Sequence, residues 1–138
     1  MAIQTSQTLR SNMLNQYETT IGVSPKLFLF TGVPPANADA APTGSILATL
    51  ALPADWMNPS TAGGNITLLG SWAGTASGTG TIGHYRLCAN ASTTGTLCGE
   101  QGTVTVGGGG GDLTVDNTSA TSGQAISITG WIRAQSGA

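Results

Sequence analysis

Charged side chains are so scarce here that they restrict the fold more than any other feature: only 7% of the residues, four basic and six acidic, against about 25% in an ordinary soluble domain. Exposed helices are built largely from Glu, Lys and Leu, and this chain spends its positions on Gly, Thr, Ser, Asn and Ala instead. Small and β-branched residues suit strands and tight turns, so an all-β chain is expected. At 138 residues it has the usual length of one domain and can bury roughly two thirds of its unfolded surface. A surface of hydroxyls and amides has little repulsion to keep copies apart, which suits permanent assembly. The net charge of -2 and the scattering of Arg10, Lys26, Arg86 and Arg133 exclude a phosphate-tracking stripe, so nucleic acid is not an expected partner.

Along the chain, residues 5–20 carry Leu9, Met13, Leu14 and Tyr17 at helical spacing, with Thr5 or Ser6 as N-cap, an end near Gly22 and Pro25 beyond it. A short helix with one apolar stripe must lie against something: a face or edge of the sheet, or a neighbouring subunit. From Lys26 the pattern becomes LFLF, a buried strand stopped by TGVPP. Further strands are expected over 45–52, 65–69, 84–89, 97–106, 112–116 and 125–129, the last extended to Arg133, and a strand packed closely on another backbone over 71–79. In the 84–89 strand, read as central, Tyr85, Leu87 and Ala89 share one face and His84, Arg86 and Cys88 the other. The 97–106 strand returns antiparallel after the turn at Gly95. Residues 107–111 read as a flexible connector, either a hinge or a tight backbone approach. Together these give an antiparallel β-sandwich or jelly-roll-like barrel of about seven or eight strands with one short N-terminal helix, divided as a helix or arm over 1–22 and a single sandwich domain over 23–138.

Chemistry is sparse. His84 is the single histidine; zinc would need it with Cys88, Cys98 and a carboxylate, and there is no second His and no CxxC pair. No GxSxG elbow surrounds a serine. Asp112 and Asp116 share a strand face, as a calcium site or paired carboxylates would, but also as a solvated face does. The glycine run lacks the Lys and the Ser or Thr of a phosphate loop. Three Asn-x-Ser/Thr motifs match the glycosylation pattern by chance in such a composition. No catalytic residue, cofactor or metal is therefore expected. Cys88 and Cys98 read as small buried hydrophobes, with a cross-hairpin disulfide open if their Cβ atoms face each other. The opening MAIQTSQTLR has neither the basic start nor the apolar run of a signal peptide, and no stretch approaches the ~20 apolar residues of a membrane helix, so manufacture in a cytoplasm without a membrane partner is expected. Most large aromatics read as core anchors. Trp56, beside Met57 in the irregular 54–64 stretch, reads as an exposed anchor for a partner's pocket.

Several segments together, TLRSNMLNQY, LFLFTGVPP, GSILATL, a Gly-Thr segment before HYRL, and DLTVDNT with GQAISIT, give a chain that resembles the capsid decoration, or cement, proteins of tailed bacteriophages. The resemblance implies a β-sandwich, often trimeric, that sits on the outer surface of the major capsid protein shell and stitches capsomers together without catalytic residues. In that reading the virion surface is its location. Its partner-binding residues are Leu9, Arg10, Met13 and Tyr17 on the helix, Pro34 and Pro35 in the 33–43 loop, and Trp56 and Met57 in the 54–64 loop, the three segments serving as arms across a seam. Removing the first 20 residues is then expected to leave a folded body that no longer binds shells. A tail or neck component is the nearest alternative, and a carbohydrate-binding module using exposed tryptophans is the second.

Overall fold

A computed structural model describes residues 3–135. Helix α1 spans Gln7–Ile21. Ten strands follow: β1 Lys26–Thr31, β2 Ile46–Ala51, β3 Met57–Asn58, β4 Ile66–Leu68, β5 Ala73–Thr75, β6 Gly80–Cys88, β7 Cys98–Val106, β8 Leu113–Val115, β9 Ser119–Ala120 and β10 Ala125–Arg133. The helix starts and stops where its caps dictate. Ser6 accepts the Leu9 amide at 3.1 Å, and Gly22, at φ 94°, returns its own amide to the Glu18 carbonyl, an end that only glycine closes without strain.

The strands form one sheet in the order β2-β1-β6-β7-β8-β10-β4-β3, with β5 on β10 and β9 on β6. Over the described residues the chain is thus mostly β with one helix, as expected, and its strands form one curled sheet. The sheet curls until its ends nearly meet: Ala76, just past β5, bridges Ala48 of β2, and the Ser77 and Gly78 amides both donate to the Leu47 carbonyl. The close approach expected over 71–79 is real, since a Cβ on Gly74 would lie 3.1 Å from Leu50 Cγ.

One pair departs from the antiparallel expectation. β7 and β8 run parallel, with Val104 opposite Leu113 and Val106 opposite Val115. Parallel neighbours ordinarily need a crossover of a dozen or more residues, whereas here residues 107–112 make the return. Gly108 and Gly110 adopt φ of +86° and +81°, and a Cβ on Gly109 or Gly111 would fall 2.7 or 2.8 Å from Thr105. The loop is clamped by Gly111 donating to Thr105 Oγ1 at 2.9 Å and Thr103 donating to Asp112 Oδ2 at 2.9 Å. Of the two readings of the glycine run, the tight approach is the one realised.

The concave side holds the main core. Trp56, Trp72 and Trp131 pack with ring centroids 5.3 to 6.0 Å apart, joined by Leu27, Leu29, Tyr85, Leu87, Leu113 and Ile126, and by Leu14 and Ile21 of α1. The helix therefore covers the body of its own chain. β6 separates this core from a smaller one on the other face, where Phe28, Phe30 and Cys88 meet Ile46 and Cys98. The alternation expected of this strand holds: Tyr85 and Leu87 enter the large core, Cys88 the small one.

Candidate interaction face

Helix α1 docks by a route that its apolar stripe did not foretell. Its inward side is mixed: Leu14 and Ile21 enter the core, and Arg10 and Ser11 are buried beside them. The 60–64 loop presents backbone groups to this side, and polar side chains answer them. Ser11 Oγ accepts the Gly63 amide at 2.9 Å, Asn15 accepts from the Ser60 amide at 2.6 Å and donates to its carbonyl at 3.2 Å, and Trp56 Nε1 caps the helix end by donating to the Gly22 carbonyl at 2.9 Å. Leu9 and Met13, one turn apart, are consequently turned outward and remain 47% and 44% exposed. Met13 stands at the rim of a groove of about 290 Å³ that also takes in Gln16, Tyr17, Thr20 and Gly99. Val23, past the helix end, is exposed as well.

The other expected contact residues are dispersed. Pro34 and Pro35 are half-buried in the 32–44 loop, and the Pro35 carbonyl is held by Gln101 Nε2 at 2.7 Å. Three expectations are overturned. Arg10 is buried, its guanidinium bonded to the Thr5 carbonyl and packed where a Gly63 side chain would be. Trp56 and Met57 are fully buried: the stretch around them looked irregular, but Met57–Asn58 forms a strand on β4, and the indole fills the centre of the tryptophan cluster. The 32–44 loop and the 60–64 loop are pinned to the body, and neither is a free arm.

Below α1 lies a charged cluster that composition alone did not reveal. Arg133 grips Glu100 with Nε to Oε2 at 2.7 Å and Nη2 to Oε1 at 2.6 Å. Trp131 Nε1 donates to Oε1 at 2.9 Å, and the Tyr85 hydroxyl donates to the same oxygen. Burial alone would raise the Glu100 carboxyl, but the Arg133 bonds and charge outweigh it and hold the group below 4.5. Tyr17, edge-on to Trp131 at 6.0 Å, is pushed up to about 12 by burial and by the nearby Glu100 charge. With three donors on Oε1 and one on Oε2, the carboxylate is a strut between β7 and β10.

The outer face of β6 is tied down by hydrogen bonds as well. Arg86, 1% exposed, bonds the Gly95 carbonyl at 3.1 Å, the Ala40 carbonyl at 2.8 Å and Gln101 Oε1 at 2.9 Å, so the 32–44 loop and the β6–β7 turn are both tied to one neutral-partnered guanidinium. His84 stacks on Phe30 at 5.0 Å and 6° and donates Nδ1–H to the Gly32 carbonyl at 2.9 Å. Burial lowers its pKa from 6.5. The unfolded chain therefore binds the proton first as pH falls, so the stability this neutral ring contributes is full above 6.5 and is lost as pH falls from there through the folded value. Urea midpoints should decline as the pH is lowered below 6.5, and His84→Gln should flatten that decline; an unaltered slope would remove His84 as its cause. No group of His, Cys, Asp and Glu side chains among the described residues is arranged to hold a metal, and no described helix is long and apolar enough to cross a membrane. No known protein family, curated protein or solved structure matches the chain.

Proposed function

We propose that this protein is a structural component of a bacteriophage particle, a decoration or cement protein that binds the outer surface of the major capsid protein shell through the outward side of α1, with copies associated as trimers. The observation that carries this reading is the orientation of α1: a helix anchored on its own body by polar contacts, with Leu9 and Met13 left in solvent beside a groove. Apolar side chains held rigidly at a surface lose little freedom on binding, and many such modest contacts add up when copies are placed by symmetry. The rest of the molecule suits the role. The single curled sheet supplies a rigid body, and the hydroxyl-rich surface of low net charge tolerates close neighbours. A sugar-binding module is disfavoured because Trp56, Trp72 and Trp131, which would have to stack on sugar rings, are at most 3% exposed.

The copy number of the chain relative to the coat protein, by quantitative mass spectrometry of purified particles of the virus that encodes it, tests the reading. Copies comparable to the coat protein, or about a third of it, are expected; a handful would place the chain in the tail or neck, and none would refute a virion role. The docking side is tested separately. Leu9→Asp with Met13→Asp should leave the thermal midpoint within a few degrees, both positions being exposed, and lower the affinity for shells at least tenfold. Unchanged affinity would move the contact off α1. Deleting the first 20 residues is not a clean test, because it takes Leu14 out of the core and removes the Ser11 and Asn15 bonds to the 60–64 loop.

A further inference from the structure

We infer that Cys98 and Cys88 form a two-thiol oxidation site, in which Cys98 reacts with a peroxide and Cys88 resolves the product into a disulfide across β6 and β7. The placement comes first. Cys88 and Cys98 are direct cross-strand partners, at a register shift in the β6–β7 ladder. Directly opposed residues of antiparallel strands have Cα atoms about 4.5 to 5.5 Å apart, within the roughly 4.4 to 6.8 Å that a disulfide spans. Both thiols are free, one buried and one partly open.

The surroundings assign the two roles. Cys98 opens into a cleft of about 200 Å³ lined also by Arg86, Asp39 and Thr96, a space that admits a molecule the size of a peroxide. Cys88 is fully buried behind it. Arg86 reaches the same cleft, spends its Nη donors on carbonyl and amide oxygens, and leaves Nε without a partner. A buried cation whose bonds all go to neutral groups favours an anion beside it, and thiolate is the reactive form of cysteine. In keeping with this, Cys98, whose S–H donates to the Glu100 carbonyl at 3.1 Å, is held below its ordinary pKa first by the neighbouring Cys88 thiol and then by Arg86, against the opposing effect of burial. Cys88 is pushed up by the neighbouring Cys98 thiol and by burial.

The chemistry balances with hydrogen peroxide as oxidant. The Cys98 thiolate attacks one peroxide oxygen, the O–O bond breaks, and the departing hydroxide takes a proton to become water, leaving a sulfenic acid. The Cys88 sulfur, giving up its proton, then displaces the sulfenic oxygen; an S–S bond forms, an S–O bond breaks, and a second water leaves. Two thiols are oxidised and one peroxide is reduced to two waters.

Intact-mass measurement of the full native chain after peroxide treatment and iodoacetamide tests this. The expected result is a loss of about 2 Da and no alkylation, reversed by a thiol reductant. Cys88→Ser, whose hydroxyl keeps a donor toward Cys98, should instead trap a sulfenic acid that dimedone labels at Cys98. Cys98→Ser should react at least tenfold more slowly than Cys88→Ser. Wild-type protein that still alkylates at both cysteines after the same treatment would overturn the inference, as would equal rates for the two variants. A wild-type readout that needs no substitution keeps the test valid even if the buried Cys88 position tolerates serine poorly.

Discussion

Arg86→Met is expected to lower the unfolding free energy by about 2–5 kcal/mol, the size expected when several buried acceptors lose their donor at once. Methionine keeps most of the volume, so the loss is polar in origin. The carbonyls of Gly95 and Ala40 and the Gln101 amide oxygen stay behind, buried, without the donors they now have, and an unsatisfied buried acceptor costs about 1–3 kcal/mol. Denaturant titration measures the size of the effect, and hydrogen exchange locates it. Protection should fall first in the 32–44 loop and at the Gly95 turn, with the tryptophan core on the far side of β6 retaining its own until global unfolding. A Met variant within about 1 kcal/mol of wild type would show that the loop is held by Gln101 and the Phe28–Phe30 packing without the guanidinium.

The second large effect is expected at Glu100. Its carboxylate accepts from Arg133, Trp131 and Tyr85 at once, and its side chain is 10% exposed. Glu100→Ala leaves an unpaired guanidinium and two unpaired donors against the core, for an expected loss of about 3–5 kcal/mol and a fall in the thermal midpoint on the order of 15 °C. Glu100→Gln separates charge from shape: it keeps the volume and one acceptor, so its loss should be smaller. The pH dependence distinguishes the two contributions. Because the folded carboxyl titrates below 4.5, its stabilisation is complete above 4.5 and disappears as pH falls through the folded value. That acid limb, which begins only below 4.5, should flatten in Glu100→Gln. Persistence of the full limb in the Gln variant would assign acid sensitivity to other carboxylates.

Much of the local structure was legible because short-range signals govern it. Ser6, Gly22 and Pro25 bracket the helix, Gly95 turns the β6–β7 hairpin, and the alternation around Arg86 places Tyr85 and Leu87 opposite His84 and Cys88. What escaped the sequence depends on distant segments. Trp56 looked like a loop residue with nothing to cover it, and the groups that bury it, Trp72, Trp131 and the Gly22 carbonyl, lie on three other stretches of chain. Arg86 and His84 occupied what read as an ordinary second face, but a lone arginine flanked by Tyr and Leu in a strand was a signal of burial that the low charge count obscured. The parallel return of β8 was hidden for the same reason: glycine runs specify freedom, and only the neighbouring Thr105 and Asp112 show what the freedom is used for. On the helix, the apolar stripe was correctly located, but its direction was set by the backbone groups of the 60–64 loop. The stripe is split: Leu14 and Tyr17 pack on the core, and Leu9 and Met13 are left at the surface.

The place of β10 in the sheet bears on the order in which the molecule can be built. β10 is the shared partner of β4, β5 and β8, and it carries both Trp131 and Arg133. During synthesis from the N-terminus, β1, β2, β6 and β7 can pair as they emerge, and β8 and β9 have β7 and β6 to pair with, but the β3–β4 pair and β5 have no strand joining them to the sheet until residues 125–133 are made. Through that interval Trp56 and Trp72 lack their third ring and Glu100 lacks its cation. The nascent chain is then at its most adhesive, and pairings this far apart in sequence close slowly. Closure of the sheet is therefore expected to be a late step of folding, set by the arrival of β10.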